Sequence, residues 1–202
     1  VLAIYLFDTQ SNTFIQQDKI NIADNVFAYD VGEPQQGGLQ RLYLLDKSTV
    51  HRYVPAHSSH KSAWVMSETV SSMYLSDKAG SFRAMDFIQD INNDSLDDIV
   101  LPHFEQLNLW LSDCCGVRHP QNLPIAARIE MNPSSVSYDD QELYFQDMDL
   151  DGRTDLVTVE QGQLNVFVQS ENMQFSLIPI KIEIDKSIYA VDWWDMKGPD
   201  GQ

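Results

Sequence analysis

The sequence predicts an all-β fold made of many short strands, and three observations carry that prediction. Helical periodicity is nearly absent: no long stretch sets apolar residues at i, i+3, i+4 and i+7 between capping residues. Short alternating runs recur instead, in "LYLLDKSTVHRYV", "LNLWLSD", "LVTVEQGQLNVFVQ" and "FSLIPIKIEI". Tight-turn signals sit between them, "DKST" between Leu45 and Val50 and "EQGQ" between two alternating halves of the third run.

The chain has 202 residues, 43% hydrophobic and 10% aromatic, which is ample for a packed core. Thirteen basic residues against thirty acidic ones leave a net charge of −17. A field of that sign repels nucleic acid and anionic membrane surfaces and attracts cations. No apolar run approaches the length needed to span a bilayer, so membrane insertion is not expected. The opening "VLAIYLFDTQ" lacks a basic leader and a small-residue cleavage site, so it reads as a strand rather than a secretion signal. Such a start points to a processed chain or to a segment of something longer.

Along the chain, residues 1–24 read as the outer strands of an incomplete unit. The stretch "VFAYDVGEPQQGGLQRLYLLDKSTVHRYV" (26–54) then runs strand, loop, apolar strand, turn, alternating strand. The same layout returns in "FRAMDFIQDINNDSLDDIVLPHFEQLNLWLSD" (82–113) and "LYFQDMDLDGRTDLVTVEQGQLNVFVQS" (143–170), both with acidic loops. A fourth copy begins at "IYAVDWWDMKGPDG" (188–201) and is cut off. The leading aspartates Asp30, Asp90, Asp147 and Asp192 are 60, 57 and 45 residues apart. Such a period, with about four short strands per unit, suits the blades of a β-propeller. The expected units are 25–80, 81–140 and 141–186, with the next starting at 187–202. About three blades plus fragments cannot close a ring, so the chain is expected to form part of a larger propeller. Further blades would come from the same chain or another one.

In "QDMDLDGRTDLV" (146–157), Asp147, Asp149, Asp151 and Asp155 crowd together where a strand begins. Like charges this close repel and shift each other's protonation, so water or a cation must compensate. These loops resemble the FG-GAP/VCBS repeat family, the calcium-loop blades of integrin-α-like propellers and of many bacterial secreted proteins. The family pattern is D-x-[DN]-x-D-G-x-x-D followed by an apolar strand. Asp147, Asp149, Asp151, Gly152 and Asp155 match it fully. Asp90, Asn92, Asp94 and Asp98 match its ligand positions, with Ser95 in place of the glycine. The Asp30 loop keeps only the first aspartate, so no metal is expected there, and the Asp192 loop is irregular.

Calcium takes six to eight hard oxygens, and alternate residues of a tight loop can turn several inward. The resemblance therefore implies two Ca2+ sites. Asp90, Asn92, Asp94 and Asp98 would serve one, with the Leu96 carbonyl. Asp147, Asp149, Asp151 and Asp155 would serve the other, with the Arg153 carbonyl. Ser95, where glycine relieves the bend, should make the first loop more strained. An EF-hand is excluded, since its bidentate carboxylate at position 12 is replaced by Leu101 and Thr158, both in strands. Magnesium fits less well, because it demands octahedral geometry and retains its water.

Other residues give weaker signals. "HSSH" pairs His57 with His60 but has no nearby ligand to complete a metal set, so a solvated loop is expected. No G-x-S-x-G elbow, P-loop or G-x-G-x-x-G occurs, and no catalytic residue or organic cofactor is nominated. Trp110, Trp193 and Trp194 read either as a ligand platform or as packing between blades. Cys114 and Cys115 are neighbours, about 3.8 Å apart at Cα, so they read as loop thiols or a strained vicinal disulfide. Asn93-Asp94-Ser95 forms a glycosylation sequon, but it overlaps the metal loop.

The resemblance implies a calcium-stabilised binding or adhesion module, secreted, periplasmic or on a cell surface, that recognises a protein or carbohydrate partner. Two alternatives remain: the propeller domain of a polysaccharide-acting enzyme of lyase or hydrolase type, and a structural piece of a surface assembly. A channel cluster of His, Arg and Tyr would favour the enzyme, and an aromatic patch on one rim would favour binding.

Overall fold

The alternating runs become short antiparallel strands. The computed structural model describes residues 1–32, 40–54, 63–71, 82–113, 118–125, 128–132, 135–139, 143–160 and 162–184, and among these it is all β, with no helix. Cys114, Cys115, His57, His60, Trp193, Trp194, the Asp192 copy and most of the Asp30 loop lie outside the described residues.

Strands β1 (Leu2–Asp8) and β2 (Thr13–Ile20) pair with each other as a separate hairpin. Asp8 closes its turn by accepting the Gln10 and Ser11 amides at 3.1 and 3.2 Å. The second sheet is a meander of β3 (Ala28–Val31), β4 (Leu42–Leu45), β5 (Thr49–Val54) and β6 (Ala63–Thr69). The "DKST" turn lies between β4 and β5: the Asp46 amide donates to the Thr49 carbonyl at 3.0 Å and Asp46 Oδ1 accepts the Ser48 amide at 2.9 Å. His51 then bridges the hairpins, with Nε2 3.2 Å from Asp46 and Nδ1 3.0 Å from Ser67. A fifth strand, β7 (Arg83–Ala84), runs parallel beside β3, so the start of the second long repeat fastens onto the preceding sheet.

The third sheet contains β8 (Ile88–Gln89), β9 (Asp98–Pro102), β10 (Leu107–Ser112) and β11 (Arg118–Leu123) in sequence order. A hairpin of β12 (Arg128–Asn132) and β13 (Ser135–Asp139), which the repeat pattern does not mark, follows it. The fourth sheet contains β14 (Leu143–Gln146), β15 (Asp155–Glu160), β16 (Gln163–Phe167) and β17 (Ile180–Glu183), again in order. Glu160 pairs with Gln163 across the "EQGQ" turn, where Gly162 supplies a φ of 79° that few other residues tolerate. Only the second half of "FSLIPIKIEI" is a strand, because Pro179 has no N–H to give a ladder and Leu177 and Ile178 before it are exposed.

The sheets stack face to face in chain order. Ile20 of the hairpin packs with Leu44 and Tyr53 of the second sheet. The other face of that sheet, with Tyr43, Leu45 and Val50, meets Ile99, Leu101 and Trp110 of the third. Trp110 is therefore core between two sheets. Val100, Leu109, Leu111 and Leu123 on the opposite face meet Leu156, Phe167 and Phe175 of the fourth unit. The third sheet is thus covered on both faces, and all six residues of β10 are buried. Accordingly β9 carries the continuous apolar run Ile99-Val100-Leu101, whereas "LNLWLSD" reads as an alternating strand although all of β10 is buried.

A buried and a half-buried carboxylate tie the second sheet to the third. Asp97, 2% exposed, accepts from Arg41 Nη1 at 3.0 Å and from the Tyr43 hydroxyl at 2.7 Å. Gly32 permits the approach, since a Cβ there would lie 2.5 Å from the Asp97 carboxylate. Asp30 Oδ2 accepts the Phe87 and Ile88 amides, each at 2.7 Å. Burial pushes the Asp30 carboxyl above its ordinary range; the amides oppose this, and the nearby Asp86 charge adds to it.

Two outcomes follow from these ties. Asp97→Ala leaves a guanidinium and a buried hydroxyl without their acceptor and should cost about 3 kcal/mol in urea unfolding. Asp30 holds its proton more tightly folded than unfolded, so its ionisation opposes folding at neutral pH. The folded state should therefore gain stability through Asp30 as pH falls through its raised value, with no further gain below the unfolded value of about 3.9. Urea unfolding across that window should show this contribution in the unmutated chain and not in Asp30→Asn.

Candidate metal centre

The two acidic loops join the first and second strands of the third and fourth sheets. In one, Gln89 pairs with Asp98, and in the other Gln146 pairs with Asp155, so each pair closes an intervening loop. Counting from Asp90 and from Asp147, the loops make the same bonds at the same positions. The position 1 carboxylate accepts the amides of positions 5 and 6: Asp90 from Asp94 (3.0 Å) and Ser95 (2.7 Å), Asp147 from Asp151 (3.2 Å) and Gly152 (2.9 Å). The position 3 oxygen also accepts the position 5 amide, at 3.1 Å for Asn92 and 3.2 Å for Asp149. The position 5 carboxylate accepts the position 7 amide, Leu96 to Asp94 at 2.8 Å and Arg153 to Asp151 at 2.9 Å.

Positions 4 and 6 are left-handed in both loops: Asn93 (60°) and Ser95 (67°), Leu150 (63°) and Gly152 (89°). The left-handed residues curl the loop so that the side chains at positions 1, 3 and 5 face its own amides. Gly152 suits this geometry, whereas Ser95 and the exposed Leu150 adopt it at a steric cost.

Position 9 has a task that spacing alone does not reveal. Asp98 and Asp155 are fully buried. Asp98 accepts the Ile91 amide at 3.2 Å and the Ser112 amide at 2.7 Å. Asp155 likewise accepts Met148 at 3.0 Å and Gln169 at 2.9 Å. Each aspartate thus staples its loop to the end of the third strand of its sheet. Burial raises the Asp155 carboxyl, against the Gln169 and Met148 amides, and the Asp149 and Asp151 charges raise it further. Asp90 is also raised, first by burial, with Asp94 adding to it.

Asp147, Asp149 and Asp151 each offer an oxygen, all within 4.8 Å of one another. Two oxygens sharing one calcium ion at about 2.4 Å can be no more than about 4.8 Å apart, so these three fit a single hard cation. In the first loop Asn92 replaces one carboxylate, and its amide nitrogen donates to Asp94 at 3.0 Å and approaches Met173 Sδ at 3.3 Å. That loop therefore has two carboxylates, Asp90 and Asp94, where the other has three. Leu96 and Arg153, nominated through their carbonyls, make the bonds described here through their amides. The Arg153 side chain was not anticipated: its guanidinium pairs with Asp151, and Nε donates to the Gln169 carbonyl at 3.1 Å. Its place two residues after Asp151 was the available signal. The chain matches no family model and no curated protein.

The left-handed positions yield a test. Ser95→Gly should stabilise the chain by about 1 kcal/mol, and Gly152→Ala should cost a similar amount even though an added Cβ meets nothing within 4 Å. Thermal and urea unfolding in chelator would measure both, and equal small effects of one sign would show that the dihedral angle is not the cause.

Proposed function

We propose that the chain is part of a calcium-stabilised β-propeller of the FG-GAP/VCBS kind. It serves as a binding or adhesion module, on a secreted or cell-surface protein, for a protein or glycan partner. The observation that carries this reading is the bond-for-bond agreement of the two acidic loops, together with the three convergent oxygens of Asp147, Asp149 and Asp151. Sheets of four antiparallel strands stacked in chain order also support it, because that is how successive blades would lie.

Bound calcium would supply concentrated positive charge to carboxylates that otherwise repel. Asp147, Asp149 and Asp151 would hold it in the fourth sheet, and Asp90, Asn92 and Asp94 more weakly in the third. The chain's own part is to preorganise the oxygens: loop amides fix the rotamers at positions 1, 3 and 5, and the buried position 9 aspartate fixes the loop to its sheet. The Arg153 guanidinium competes for Asp151, which suits modest affinity at the calcium levels found outside cells. The module would then be firm where calcium is plentiful and looser where it is scarce.

Thermal unfolding tests this. Calcium at about 100 times its Kd should raise the melting temperature by about 5–10 °C over chelator. The Asp94→Ala, Asp151→Ala double variant should lose the rise, and magnesium should not reproduce it. An unshifted melting temperature from chelator to millimolar calcium would sink the reading.

A further inference from the structure

At the far end of β15 from its acidic loop, the fourth sheet leaves the third and a cleft of about 190 Å3 opens between them. Three of its side chains form one row across the sheet, because Thr158 pairs with Asn165 and Asn165 with Lys181. Glu160 stands two residues beyond Thr158 on the same face. Phe167 and Ile125, with prolines 124 and 179, form the apolar part of the lining.

The polar row is out of place for a mere packing surface. Nearer the acidic loop the same face carries Leu156 and Phe167, which pack against the third sheet. Thr158 is 1% exposed and Asn165 7%. Among the described residues no hydrogen bond occupies either side chain, and both residues line the cleft. Nearly burying a hydroxyl and an amide without partners costs about 1–3 kcal/mol each, which a valine and a leucine would avoid. The volume corresponds to about six waters and is too small for a nucleotide or a large cofactor.

We propose that this cleft is a subsite for a single sugar residue at the end of a glycan. A sugar ring has the matching two-sided chemistry. Its hydroxyls can pair with the Thr158 hydroxyl, the Asn165 amide and the Glu160 and Lys181 head groups, while its C–H face lies on the proline and phenylalanine wall. The proposal rests on the binding-module reading above and specifies its ligand class, but it uses none of the acidic-loop residues.

The full chain is titrated with the methyl glycosides of glucose, galactose, mannose and N-acetylglucosamine, and separately with alanine as a free zwitterion. Proton–nitrogen correlation spectra are recorded with calcium and in chelator. One glycoside should give saturable shifts centred on residues 158, 165 and 181. Asn165→Ala and the exposed Lys181→Ala should each weaken binding about tenfold. Lys181→Ala keeps the test decisive if Asn165→Ala fails to fold. The sugar subsite is overturned if no glycoside binds, if binding survives both substitutions unchanged, or if only alanine binds. A calcium-dependent melting rise without glycoside binding would sink the subsite alone. Glycoside binding without that rise would sink the calcium reading alone.

Discussion

Main-chain N–H groups that leave the sheet ladder yet stay buried are the constraint on which this molecule depends. Each must find an acceptor or forfeit much of the gain from burial. Aspartate is the recurring solution, since an ionised carboxylate only accepts and offers two oxygens on a short arm. Asp98 takes the Ile91 and Ser112 amides, Asp155 takes Met148 and Gln169, and Asp30 takes Phe87 and Ile88. Without these anchors, the acidic loops would have no fixed position on their sheets, and their outer carboxylates would not converge.

Aspartate used in this way adds charge. The chain carries −17, and several carboxylates that hold it together are pushed upward by burial and by each other. Arginine supplies local remedies among the described residues. Asp97 is offset by Arg41 and Tyr43, and Asp151 by Arg153. The fourth-sheet loop gathers three carboxylates against one guanidinium, so the local charge there is left less balanced than at Asp97.

Much of this was legible in the sequence. The strands, the "DKST" and "EQGQ" hairpins and the two acidic loops all announce themselves, because each is a local pattern a few residues long. Burial of the third sheet on both faces was not legible: "LNLWLSD" reads as an alternating strand, and only the neighbouring sheets bury Asn108 and Ser112 along with its apolar residues. What stayed hidden depends on partners distant in the chain. The loop pattern marks Asp98 and gives Asp97 no role, yet Asp97 faces Arg41 and Tyr43 of the neighbouring sheet while Asp98 staples its own loop. Thr158 and Asn165 interrupt apolar runs as ordinary alternation would, and only cross-strand register brings them together with Lys181. The β12–β13 hairpin escaped because it falls between copies of the repeated layout.

The stacking of the sheets in chain order has a consequence for biosynthesis. Apart from β7, which returns to β3, each described strand of the second, third and fourth sheets pairs with the strand next to it in the chain, so most of each sheet can zip up soon after it emerges from the ribosome. The third sheet shows what such early pairing leaves open. Its Tyr43-facing side is covered at once by material already made, but Leu109, Leu111 and Leu123 on the other side wait for Leu156, Phe167 and Phe175. Until those residues are translated, a nascent chain carries an apolar face that its own later sequence must reach before a neighbouring polypeptide does.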